Sequence, residues 1–578
     1  MSAAMSLQSH LSDKVGKVFA DLGLPAQFGE VLPSQRPELA QFQCNGAMAA
    51  AKQAGQSPRA IAASVAEALS ADPEIATADV AGPGFINIDV TDEVLAEWAN
   101  ATAADDHFGF ARQGDPLRVL VDYGGPNVAK AMHVGHLRAT IIGDSLARLF
   151  AFAGHDVIRD PHFGDWGFQM GLLISAVEEE GIDPTAITLA DLQRIYPETS
   201  ERAREDEAFA DRARVATVRL QRGDPGHRAI WQQMKTVSEQ SQREDFAALG
   251  VEFDLWYGES DVADRLDALV ERVAAAGVTE VSDGALIVRV DQPEDNREWP
   301  PLILRSSVGG FLYSTTDLAT VAMRVDDLHV DLMLYVVDRR QGDHFTQVFR
   351  VARKAGIAGD EVVMEHVGFG TMNGPDGKPF KTREGGVVRL GDVIEMVRTA
   401  ARARIDEAHI AEDYPEEERD RIAFQVGVAT LKFGDLINNR TSDYVFDLDR
   451  FSSFEGKTGP YLQYAAVRIR SILRKAAERD LVANEMIAPS NDTERDLMLE
   501  LFRFPEVVER SIDLRAPNHV AEYAYTLSGA WNRFYDQCHI LSEPDPTRQA
   551  SWLAMAAWAA GTLETLLHLL GITVPDRM

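Results

Sequence analysis

The run Leu117–Tyr123 (LRVLVDY) and the run His155–Asp160 (HDVIRD) are both short and β-rich. Between them lies a helical pattern from about Gly135 to Phe152, capped by Gly154. Strand, helix and strand at this spacing form a βαβ unit, which favours a parallel sheet. The pattern returns at Asp331–Asp338 (DLMLYVVD), a helix from about His344 to Lys354, and VVMEHVGF at 362–369. The charged helical stretch between the two, roughly Val177 to Leu249, reads as an insertion between the halves of one sheet.

The remainder has to be divided among other cores, because 578 residues exceed what one core organises. Residues 1–110 read as a small α+β domain: helices at Gln43–Ala51 and Pro58–Leu69, a strand at Gly84–Val90, and a helix near Glu93–Ala101. The turn-rich string HFGFARQGDP then forms a linker. Residues 111–389 form a Rossmann-type α/β domain with a helical insertion at about 177–300. Residues 390–455 form a helical connecting segment, and 456–578 an all-α domain. No apolar run approaches the roughly 20 residues that span a bilayer, and the first residues lack a secretory apolar stretch. With only Cys44 and Cys538 present, neither a disulfide framework nor a cysteine zinc site is available. A cytoplasmic location and no protein-bound metal are expected. Asp and Glu number 90 against 57 Lys and Arg, a net charge of −33 that repels nucleic acid on average. Any RNA must therefore meet local basic patches.

The most specific string is Asn127-Val128-Ala129-Lys130-Ala131-Met132-His133-Val134-Gly135-His136. It joins the first strand to its helix, at the end of a parallel sheet where ligands bind. A helix N-terminus offers free N–H groups and partial positive charge, which suit a triphosphate. Two histidines three residues apart share a face there and can donate to phosphate oxygens. Gly135 leaves room for a nucleotide against backbone.

This H-x-G-H turn after a first strand resembles that of class I aminoacyl-tRNA synthetases and related nucleotidyltransferases. The longer VDYGGPNVAKAMHVGHLRATIIGDSLAR resembles the arginyl enzymes in particular. HFGDWGFQMG, FLYSTTDLA, VVDRRQGDHF, DGKPFKTREGG, GKTGPYLQYAAVRI and the terminal LLGITVPDRM continue the likeness in the family's order. A small-metabolite nucleotidyltransferase would share the turn but need neither YSTTD nor a helical C-terminal domain. A catalytically dead tRNA-binding relative would not need His133, Gly135, His136, Lys130 and Asp317 intact, and a cysteinyl enzyme would need a zinc site.

The resemblance implies an arginine–tRNA ligase whose partners are L-arginine, ATP carrying Mg2+ and tRNA(Arg), working as a monomer. Asp122 and Asp317 would face the guanidinium, a planar, permanent cation that demands carboxylates. Tyr313 would support it, and Asn127 and Gln341 would hold the amino acid's backbone groups. His133, His136, Lys130 and Gly135 would seat the nucleotide. The family's second signature, K-M-S-K-S, aligns on Pro379–Arg383 and has lost both lysines, to Pro379 and Thr382. Lys378, Lys381 and Arg383 would supply charge there, with Lys130 taking part of the clamp. Phe85 and Asn87 of the N-terminal domain would touch the tRNA elbow. Tyr461, Trp531, Tyr535 and Met578 would meet anticodon bases, near the basic side chains Arg468, Arg470, Arg474, Lys475, Arg503, Arg510, Arg515 and Arg533.

Overall fold

The computed structural model describes residues 6–34, 36, 38–112, 114–307, 309–374, 376–378 and 388–578. Its N-terminal unit is a four-stranded antiparallel sheet of β1 (Val31–Pro33), β2 (Phe42–Cys44), β3 (Ile75–Ala81) and β4 (Phe85–Val90), in the order β1-β2-β4-β3. Alternation along β4 buries Ile86, Ile88 and Val90 against the helices Leu7–Asp21 and Pro58–Leu69, while Phe85, Asn87 and Asp89 stay half-exposed. The helix expected from Gln43 begins only at Gly46, because Phe42–Cys44 pair with β4 instead. The Asp92–Ala103 helix, capped by Thr91, docks this unit on the C-terminal domain. There Asn100 donates to the Met486 carbonyl and Arg495 pairs with Asp92 at 2.8 Å.

β5 (Arg118–Tyr123), β6 (Asp156–Asp160), β10 (Leu332–Val336) and β11 (Val363–His366) form an all-parallel sheet in the order β11-β10-β5-β6. Apolar residues bury the central strands β5 and β10, as helices on both faces require. The chain leaves β5 for β6 on one side and returns at β10 on the other, so a crevice opens beyond the carboxyl ends of β5 and β10. The Val134–Phe152 helix lies close on β5. A Cβ on Gly143 would stand 2.2 Å from the Tyr123 ring, so glycine is what allows that approach.

The insertion is not helical throughout. Helices Phe168–Glu180, Leu189–Glu205, Glu207–Gln221 and Pro225–Ala248 are followed by the Leu266–Ala275 helix. The chain then adds a three-stranded antiparallel sheet of β7 (Thr279–Ser282), β8 (Ala285–Val288) and β9 (Leu302–Arg305). Each of these strands has four residues, too few for alternation to stand out from the charged stretch around them.

Beyond residue 390 the chain is mainly helical, and its tail is held by side chains. The carbonyls of Leu569, Gly571, Thr573 and Pro575 accept from Ser145, Lys432, Gln463 and Arg470 respectively. Among the described residues no helix is long and apolar enough to cross a membrane.

Candidate active site

His133 caps the Val134–Phe152 helix in extended conformation. Its Nδ1 accepts from the Gly135 N–H at 3.0 Å, and His136 Nδ1 accepts from the His133 N–H at 3.1 Å. The two rings stack with centroids 4.0 Å apart. Burial, with the Lys130 charge second, holds the His133 imidazole down at about 4. Burial, His133 and Lys130 hold His136 well below its ordinary value. Both rings are therefore neutral at pH 7. With Nδ1 accepting on each, the remaining proton sits on Nε2, free to donate to a ligand. Gly135 is needed first by its neighbour, since a Cβ there would stand 2.7 Å from His133 Cε1.

The approach to this turn is braced by the insertion. Ala129 has a left-handed backbone (φ 66), which costs a non-glycine residue roughly 1–2 kcal/mol. Its N–H donates to the buried Ser238 hydroxyl at 2.8 Å, and Gln242 donates to the Asn127 carbonyl at 3.0 Å. Asn127 also bridges Gly164, where a Cβ would overlap the Asn127 side chain. On the other side the Val134 N–H donates to Val388 and the Leu390 N–H to Met132. These bonds tie the histidine turn to residues 388–390. Of the loop cations, Lys378 is exposed at the Gly374–Lys378 turn, while Lys381 and Arg383 lie outside the described residues.

A cavity of about 350 Å³ is walled by Asn127, Trp166, Gln169, Glu259, Tyr313 and Thr316, among others. Asn127 and Tyr313 were expected at such a site; Glu259 was not. Burial, and then the charge of Asp317, push the Glu259 carboxyl up to about 8. Its Oε2 accepts from the Trp166 N–H at 3.2 Å. Asp317 sits one residue beyond Thr316 on the Tyr313–Asp326 helix, a quarter exposed, and accepts from His344 at 2.5 Å. The His344 ring leans on Tyr313, with centroids 4.9 Å apart. Gln341 is exposed in the short turn before the Gly342–Lys354 helix.

Asp122 requires a correction. It is the penultimate residue of β5 and lies beside Asp160, its register partner at the end of β6, and both accept from Arg324 Nη2 at 2.7 Å. Arg324 is fully buried and lies over the Tyr335 ring. Burial works to raise Asp160, but His162 and Arg324 hold it at about 2. Burial raises Asp122, and Arg324 opposes it. The expected grip on a guanidinium exists here, but the guanidinium belongs to the chain itself. Two aspartates near the ends of adjacent strands, and an arginine seven residues after Asp317 on the same helix face, are the signal that could have revealed it. Glu259 had a weaker trace, a Gly-Glu-Ser string whose place at the crevice only the fold discloses.

In the C-terminal domain Trp531 is also corrected. It is 1% exposed in the helical core, stacked near Tyr535, so its ring is closed to any base. Tyr535 is half-buried beneath Arg468, and Tyr461 accepts from Asn532 at 2.8 Å. Met578 packs half-buried against the cluster of Ala401, Ile405 and Ile422. Phe85 is half-buried, and Asn87 accepts from Gln43.

Three family models match the chain in sequence order. The N-terminal domain of arginyl tRNA synthetase matches residues 5–90, the catalytic domain of class I (R) tRNA synthetases residues 100–448, and the DALR anticodon binding domain residues 462–578. An arginine–tRNA ligase of Maricaulis maris is 48% identical over 99% of this chain and 100% of its own length. The chain belongs to the arginyl-tRNA synthetase family of class I. A second family member, the arginine–tRNA ligase of Hyphomonas neptunium, is 47% identical at the same coverage. The fold is that of solved arginyl-tRNA synthetases. The Plasmodium falciparum structure superposes with a TM-score of 0.82 at 23% identity, and the Thermus thermophilus structure with 0.81 at 24%; each likeness covers 99% of this chain and 100% of the other.

Proposed function

We propose that the chain is an arginine–tRNA ligase, which activates L-arginine with ATP and transfers it to the 3′ end of tRNA(Arg). The observation that carries this reading is the buried acid Glu259 in the wall of a cavity shared with Asn127, six residues before His133, with the carboxylate of Asp317 close enough to act on it. An acid kept protonated by burial, and then by a neighbouring carboxylate, gains most from a cation brought beside it. A guanidinium can satisfy two acids at once through its fixed fork of donors. Tyr313 would lie against it, and Asn127 and Gln341 would take the ammonium and carboxylate ends.

In the first step the arginine carboxylate attacks the α-phosphorus of the ATP–Mg2+ complex and pyrophosphate leaves. In the second, the 2′-hydroxyl of the terminal adenosine attacks the arginyl-adenylate and AMP leaves. The protein supplies position and charge rather than a covalent bond. His133 and His136 donate from Nε2 to the phosphate as its negative charge grows. Lys130, with Lys378, Lys381 and Arg383, clamps the departing pyrophosphate. Phe85 and Asn87 would meet the tRNA elbow, and Tyr461 and Tyr535 the anticodon. We place the enzyme in the cytoplasm as a monomer, a compartment that suits the buried free thiols of Cys44 and Cys538. Incubation with total tRNA, ATP and each of the twenty amino acids in turn tests the reading. Arginine alone should be esterified; charging of another amino acid in its place overturns it.

A further inference from the structure

Glu259 is itself held by a device on the insertion. The Asp165 carboxylate is fully buried. Its Oδ1 accepts from the Ser260 N–H at 2.8 Å, and its Oδ2 from the Ser260 hydroxyl and the Lys235 ammonium, each at 2.6 Å. Lys235 also donates to the Ser260 hydroxyl at 3.1 Å. The Asp165 carbonyl accepts from the Trp231 indole at 2.8 Å, and the next N–H, that of Trp166, donates to Glu259. The dipeptide Asp165-Trp166 thus grips the dipeptide Glu259-Ser260 at both residues. Gly258 fits because a Cβ there would stand 2.8 Å from the Asp165 carboxylate. Lys235 and Trp231 share the Pro225–Ala248 helix with Ser238 and Gln242, which brace the Asn127–Ala129 approach. One helix of the insertion therefore touches both sides of the cavity.

We propose that Asp165 and Lys235 are positioning residues for guanidinium recognition: together they fix the Gly258–Ser260 turn so that the Glu259 carboxyl faces the cavity. This rests on Glu259 being a guanidinium ligand, as proposed above. Asp165 needs the Lys235 cation because an unpaired buried carboxylate would be expelled toward water, carrying Ser260 with it. Lys235 needs no contact with substrate. Its effect falls on the amino-acid half of the site, because the histidine turn is held by its own bonds and its approach is braced by Ser238 and Gln242 rather than by Lys235.

Titration calorimetry of the full-length protein with L-arginine and, separately, with ATP–Mg2+ tests this on Glu259→Gln, Lys235→Met and Ser260→Ala. Lys235→Met and Ser260→Ala should each weaken arginine about tenfold and leave ATP affinity within about twofold, as loss of support behind a binding group does. Ser260→Ala removes one hydroxyl and keeps the buried ion pair, so it reports even if Lys235→Met does not fold. Unchanged arginine affinity in Glu259→Gln removes the pocket reading itself. If Glu259→Gln weakens arginine while Ser260→Ala does not, the positioning role is wrong. Equal weakening of arginine and ATP in Ser260→Ala would likewise overturn it, since that is the mark of general disruption.

Discussion

Both imidazoles of the histidine turn spend Nδ1 on backbone N–H groups, which leaves Nε2–H to donate to the phosphate in the proposed reaction. Removing one such donor costs about 2–4 kcal/mol of transition-state stabilisation. His136→Ala should therefore slow adenylate formation by that amount with little change in arginine affinity, measured by single-turnover kinetics. Because burial holds His133 at about 4 and His136 below its ordinary 6.5, neither ring gains a proton between pH 6 and 8. With arginine saturating and ATP limiting, so that the nucleotide site is free, the rate should show no histidine step in that range. Glu259 behaves in the opposite sense. Raised to about 8, it is protonated at pH 7 in the free site, and a bound guanidinium favours its ionised form. Arginine binding should release a proton at pH 7, and affinity should rise with pH to about 8 and then level off. Calorimetry in buffers of different ionisation enthalpy reads this directly, and a buffer-independent heat at pH 7 would contradict it. The histidines were legible in the sequence because their spacing is local. Glu259 was not, because only the packing of 163–166 against 257–260 brings it to the crevice.

At the scale of elements, the units of the parallel sheet could be read, while the Leu7–Asp21 helix, β3 and the short strands could not. The Val134–Phe152 helix and the parallel strands fall within three residues of expectation, since apolar runs bounded by turns admit few alternatives. β7–β9 were hidden by their brevity, and β2 by the alanine-rich helix that follows it directly. Trp531 shows the same limit. Aromatic residues at helical spacing carry no mark of which faces solvent, and packing turned this one inward. Trp531→Ala should destabilise the helical domain by about 3–5 kcal/mol. Tyr535→Ala, half-exposed under Arg468, should cost less stability and more tRNA affinity. Thermal unfolding and filter binding of the two variants separate these roles, and the reverse ranking would return Trp531 to the RNA surface.

Across the whole molecule, the tail ties the helical domain to the helix that carries the histidine turn. Ser145 on that helix donates to Leu569, and Lys432 bonds both Gly571 and Asp144. This strapping leaves no mark in the sequence, since it consists of side chains meeting carbonyls. A net charge of −33 means that tRNA is held by local cations against a repulsive background. The logarithm of tRNA affinity should therefore fall linearly with the logarithm of salt concentration, and a flat response would exclude phosphate contacts. The central claim is that Glu259 and Asp317 select a charged fork of donors. L-citrulline, which replaces the guanidinium with a neutral group of nearly the same shape, tests it on the unaltered protein. Calorimetric titration should show citrulline binding at least about 100-fold more weakly than L-arginine; equal affinities would contradict the account.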